Sequence, residues 1–180
     1  YAIDHPEKVN KVVYIGSNTI YQAMQEKPER KLRSFLEVIG YDYTEEALRK
    51  FMNRNLLPGA EVPEELIEMR HKAATRPGVK EANAAFDAYL ARMNEEPKLW
   101  DRYCIHNSLP KLKIPGLFIW GKQDAVASVE IGYKLEKLLP NVEFKYIDDC
   151  GHQAQTDQPE IVNQLVIDFL VTEQPAAVTN

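Results

Sequence analysis

The chain has 180 residues, is 44% hydrophobic, and sets 22 Lys and Arg against 27 Asp and Glu for a net charge of -5. That length and apolar content can bury a core, while the acidic balance and the lack of a basic stripe exclude a general nucleic-acid binder. No run of about 18 apolar residues can span a bilayer and no signal peptide is recognisable, so no membrane partner is expected and a cytoplasmic location is.

In chain order, Ala2-Ile-Asp-His-Pro-Glu-Lys-Val9 reads as the end of a helix meeting a proline turn, so the chain is expected to begin inside an element. Val12 to Gly16 is a buried strand. The roughly one hundred residues that follow contain no convincing strand, too many for an ordinary loop. Helical spacing instead recurs there. Pro28 to Ile39 carries Leu32, Phe35, Leu36 and Ile39, with Gly40 as the breaker. Thr44-Glu-Glu46 opens a second helix bearing Leu48, Phe51 and Met52, and Pro63-Glu-Glu65 opens a third bearing Leu66, Ile67 and Met69. Val79 to Met93 makes a fourth, with Ala82, Phe86, Tyr89, Leu90 and Met93 on one side. Residues 18–109 are therefore expected to form an all-helical insertion between two strands of a core built from 1–17 and 110–180.

Leu117 to Trp120 is an uninterrupted apolar run, as in a strand buried on both faces. Ser128 to Leu139 is a helix stopped by Pro140, and Val142 to Ile147 alternates as a half-exposed strand with Glu143 and Lys145 outward. Pro159 to Leu170 is the last helix, with Ile161, Val162, Leu165, Val166 and Phe169 inward; Val171 to Asn180 reads as a loose tail. This is an α/β chain with parallel strands. Three such strands with few covering helices make a poor independent domain, so a neighbouring part of the sheet is expected.

A right-handed strand-helix-strand crossover brings Asp124 and His152 out at the same sheet edge. An imidazole accepts a proton from a nucleophile only if its tautomer is fixed and its cation stabilised, and a buried carboxylate does both. Each residue alone also has a bland reading, as a loop cap or a turn residue; the pair in this order points to acid–base chemistry. Cys104 and Cys150 form no closely spaced metal or redox motif. Asp148 and Asp149 lack further ligands at metal spacing. His5, His71 and His106 read as surface or structural residues, and Lys122-Gln123 as solvated surface.

Pro115-Gly-Leu-Phe-Ile-Trp-Gly-Lys-Gln-Asp124, Cys150-Gly-His152 and the final helix resemble the C-terminal part of an α/β-hydrolase-fold enzyme. Residues 2–9 resemble the end of the helix after the nucleophile elbow, and the insertion resembles the helical lid. The resemblance implies Asp124 and His152 as two members of a Ser-His-Asp triad. No Gly-x-Ser-x-Gly occurs, and Ser17, Ser34, Ser108 and Ser128 lack the elbow, so the nucleophile is expected before Tyr1, in an N-terminal half of the core that this chain lacks.

Pro63-Glu-Glu-Leu-Ile-Glu-Met-Arg70 and the residues to Arg76 resemble more closely the lid helix of meta-cleavage product hydrolases, which break a carbon-carbon bond in ring-fission products of aromatic degradation. The resemblance implies that Arg70 binds a small anionic dienol substrate, with no metal or redox cofactor; without it, Arg70 is equally a residue of a solvated helix face. Self-association into a homo-oligomer stays open. Two positions depart from the pattern: Gln153 stands where many members have tryptophan, and Asn55 where phenylalanine is frequent. Two amides for two rings imply a more polar pocket, unless Gln153 points to solvent. A lidded esterase, lactonase or amidase, an aspartate nucleophile upstream, and a non-catalytic ligand-binding descendant remain as alternatives.

Overall fold

The computed structural model describes residues 1–27 and 31–172. Residues 1–5 form a turn closed by His5 N–H donating to Tyr1 O at 2.9 Å, and a short 3-10 helix, Pro6–Lys8, leads into β1, Val12–Ile15. The helices α1 (Asn18–Ala23), α2 (Phe35–Ile39), α3 (Glu45–Asn55), α4 (Glu64–Ala74), α5 (Val79–Glu95) and α6 (Pro97–Tyr103) separate β1 from β2, Gly116–Gly121. Then come α7 (Val129–Glu136), β3 (Val142–Ile147), the short α8 (Ala154–Asp157) and α9 (Pro159–Val171).

The sheet order is β1-β2-β3, all parallel. Every residue of β2 is buried, as an apolar run paired on both edges must be. Below one face lie Leu117, Ile119, Ile147 and Val162 of α9; on the other, Phe118, Trp120 and Leu135 of α7. Gly132 lets α7 close against the Trp120 and Tyr146 rings, where a Cβ would stand 3.2 Å and 3.0 Å away. Val12 to Ile15 are only half-buried, against the expectation of a buried strand. The reason is pairing: within the described chain β1 has β2 on one side alone.

Three helix expectations need correction. Pro28 lies outside the described residues, as do 173–180 of the expected tail, and residues 31–34 are not helical. Asn94 claims the Leu32 backbone in both directions, at 2.7 Å and 3.0 Å, and Ser34 then caps the Glu37 N–H at 3.1 Å, so the helix starts only at Phe35. On α5, Phe86 is exposed rather than inward; among its residues Met93 alone is buried, near the end that meets α6. Ile161 is likewise exposed rather than inward. Periodicity located these helices but overestimated how wide a face each one buries.

The insertion has a small core of its own: Leu48, Met52 and Leu56 of α3 and its end pack on Ile67 of α4. Arg49 pairs with Glu64 across the two helices, and Thr44 caps α3 through Ala47 N–H at 3.1 Å.

Candidate active site

The C-terminal ends of the three strands converge. Gly16 follows β1 directly, and a Cβ there would lie 2.9 Å from His152 O and 3.2 Å from His152 Nδ1. The loops after β2 and β3 are bound to each other by backbone: Lys122 N–H donates to Ile147 O at 2.9 Å and Gln123 N–H to Cys150 O at 3.0 Å. The Gln123 side chain completes the tie, its Oε1 accepting from Cys150 N–H at 3.1 Å. Gln123, expected on the solvated surface, is exposed there, and its amide also spaces the two loops through a contact no local pattern announces. Lys122 does pair outward, with Asp148 at 2.8 Å.

Within this frame Asp124 Oδ2 stands 2.8 Å from His152 Nδ1. Its other oxygen accepts the N–H groups of Val126 at 2.8 Å and Ala127 at 2.7 Å, and the carboxylate side chain has 0% exposure. With both oxygens committed, the carboxylate cannot rotate, and it holds the imidazole with the proton on Nδ1 and the lone pair on Nε2. The histidine side chain keeps 26% of its surface exposed. The arrangement can take a proton at Nε2 and stabilise the resulting cation.

The helical insertion reaches the same place. Arg70, near the end of α4, donates through Nη2 to Gln153 Oε1 at 3.1 Å. Gln153 is buried, not turned to solvent, and its N–H donates to Asn55 O at 3.0 Å. Asn55 is buried too, but its side-chain NH2 turns back to donate to Phe51 O at 2.6 Å, within its own helix end. Arg70 is half-buried, and among the described residues it forms no ion pair. The two residues singled out from separate stretches thus touch each other, one residue beyond the histidine.

The sequence model of the alpha/beta hydrolase fold matches residues 1–159. The chain belongs to this family. It is 29% identical over 172 residues to a 2-hydroxy-6-oxononadienedioate/2-hydroxy-6-oxononatrienedioate hydrolase of Paraburkholderia phymatum, covering 94% of this chain and 57% of that protein. A shorter match, 37% over 71 residues and 39% of this chain, is to the human monoacylglycerol lipase ABHD6, of which it covers 21%. A crystal structure of a serine hydrolase involved in carbazole degradation superposes with a TM-score of 0.68 at 24% identity, over 94% of this chain and 57% of that one. The chain thus spans a little over half the length of the relatives it matches from end to end.

Elsewhere in this α/β hydrolase the remaining histidines have structural neighbours. His71 Nε2 contacts Tyr43 O at 3.1 Å, His5 packs on Tyr1, and His106 Nδ1 meets Cys104 Sγ at 3.0 Å. No hydrogen bond joins Ser17 to His152 among the described residues, and Ser17 precedes α1. Nor, among them, does any group of three His, Cys, Asp or Glu side chains assemble for a metal, and no helix is long and apolar enough to cross a membrane.

Cys150 adjoins the site and is fully buried; burial, with Asp157 and Asp124 nearby, pushes its thiol up to about 12. The thiolate is the reactive form. Iodoacetamide at neutral pH should therefore label the part-exposed Cys104 and spare Cys150 in the folded protein, as peptide mass spectrometry will show; rapid labelling of Cys150 would mean that the loop opens.

Proposed function

We propose that this chain is the C-terminal part of a hydrolase that cleaves the carbon-carbon bond of a meta-ring-fission dienol, with Asp124 orienting His152. His152 serves as base and then acid for a serine in the N-terminal half of the core, outside this chain. The helices of residues 18–109 form its lid. The dienol is first converted to its keto form, moving a proton from oxygen to carbon. Addition of water then breaks the carbon-carbon bond and releases a 2-hydroxypenta-2,4-dienoate-type fragment and a carboxylic acid.

The observation that carries this reading is the Arg70 guanidinium, half-buried against the residue that follows His152 and partnered there by a neutral amide. A cation so placed favours an anionic ligand, since a charge-assisted bond to a carboxylate is stronger than one to an amide. The name of the Paraburkholderia relative describes a substrate with two carboxylates, which suits Gln153 in place of an aromatic ring. The shorter match is to a monoacylglycerol lipase, whose named substrate class is a neutral ester, so charge is the discriminating variable.

In the intact hydrolase, Arg70→Ala should lower kcat/KM on an anionic dienol by about 10- to 100-fold, the worth of one charge-assisted hydrogen bond, while a neutral aryl ester loses little. Equal losses on both would remove Arg70 from substrate binding. Turnover of the ester alone by the unaltered enzyme would move the assignment to an ester hydrolase.

A further inference from the structure

A residue that no sequence pattern marked joins the lid to the histidine loop. Asp157 ends α8, five positions after His152, and its carboxylate collects backbone N–H groups from two distant places. Gly151 N–H, immediately before His152, donates to Oδ2 at 2.7 Å. Leu57 N–H, just beyond α3, donates to Oδ2 at 3.0 Å and to Oδ1 at 3.1 Å. Asp157 is also two residues before the first turn of α9, where negative charge is favoured by the helix dipole.

The same seam is closed on either side. Gln153 N–H donates to Asn55 O at 3.0 Å. Gly151 lies so close to the insertion that a Cβ would be 2.6 Å from Leu56 C and 2.8 Å from Leu57 N. The end of α3 therefore rests on the peptide groups flanking His152, while Gly16 and Gln123 support that loop from the sheet side. The loop cannot shift toward the insertion or toward the sheet without disturbing one of these contacts. A carboxylate accepting N–H groups is a strong clasp because the acceptor is charged.

We propose that Asp157 is a positioning residue that fastens the lid to the loop carrying His152, so that docking of residues 55–57 and the register of His152 against Asp124 are one event. This rests on the reading of Asp124 and His152 as the acid–base pair. It assigns Asp157 no contact with substrate; Asp157 acts through the histidine.

The test uses the intact hydrolase and its Asp157→Ala, Asp157→Asn and Asp157→Glu variants. Amide hydrogen exchange should accelerate at Gly151 and Leu57 together in Asp157→Ala, by about tenfold or more, with Phe118 in β2 unchanged. The downfield proton resonance of His152 Nδ1 should broaden or vanish. On a neutral aryl ester kcat should fall by about 10- to 100-fold, the scale of an ångström-sized misplacement, with KM within about twofold; Asp157→Glu should recover part of it. If Asp157→Ala does not fold, Asp157→Asn, which keeps one acceptor oxygen, carries the same three readouts.

Unchanged exchange and resonance, or a kcat that falls only with the folded fraction, would overturn the proposal. An intact protein inactive on both substrate types, but with exchange and resonance coupled to Asp157, would overturn the hydrolase reading and leave the clasp standing.

Discussion

Asp124→Asn in the intact hydrolase is expected to lower kcat by about four orders of magnitude with the fold retained, the scale seen when a triad acid loses its charge. The surroundings dictate how. Val126 and Ala127 N–H groups hold one carboxylate oxygen at 2.8 Å and 2.7 Å. An asparagine must keep its carbonyl there, which turns its NH2 toward His152 Nδ1, 2.8 Å from the other position. Two donors cannot face each other, so the ring changes tautomer and presents a proton on Nε2 where a lone pair is needed. His152→Ala should be at least as damaging, and the double variant no worse than the worse single one, because the two act as a unit. Steady-state kinetics on a dienol and on an aryl ester, with circular dichroism to check folding, decide it. Near-normal turnover in either variant removes that residue from the mechanism.

Gly121→Ala is expected to destabilise the fold by about 3 kcal/mol or more, the upper end of overpacking, and to lower activity beyond that. A Cβ on Gly121 would lie 2.7 Å from the Cys150 carbonyl carbon and closer still to the Cys150 and Gly151 carbonyl oxygens. These are backbone atoms of the histidine loop, tied by Gln123 and Asp157. They cannot yield as a flexible side chain would. Gly40→Ala is the control: nothing lies within 4 Å of it, and only its left-handed φ of 63° resists a side chain, at about 1 to 2 kcal/mol. Thermal or denaturant unfolding ranks the two, and a smaller loss at Gly121 would show that the loops have room to separate.

Much of the core could be read in advance. Leu117 to Trp120 is a short apolar run that suits a fully buried strand, and Asp124 lies just past the C-terminal end of that strand. The crossover rule then left one place for His152, where it is found, 2.8 Å from the acid. The helices of the insertion were legible as elements, yet their faces were not: Phe86 and Ile161 fit the apolar period and are exposed, while Asn55 is polar and buried. Periodicity reports which residues share a side, and the packing partner decides how much of that side is covered. The missing turn of α2 has the same origin, since Asn94 satisfies the Leu32 backbone from 62 residues away.

Local pattern by itself determined the strand order of chemistry here, an acid after β2 and a histidine after β3, because strand periodicity and crossover handedness are properties of consecutive residues. Only the tertiary structure decided what surrounds that pair: Arg70 against Gln153, Gln123 across two loops, and Asp157 between Gly151 and Leu57. The physical reason is the nature of the partners. Gln123 and Asp157 bond to backbone N–H groups, which every residue but proline carries, and Arg70 to an amide 83 positions away, so none of these contacts leaves a mark on the sequence around it.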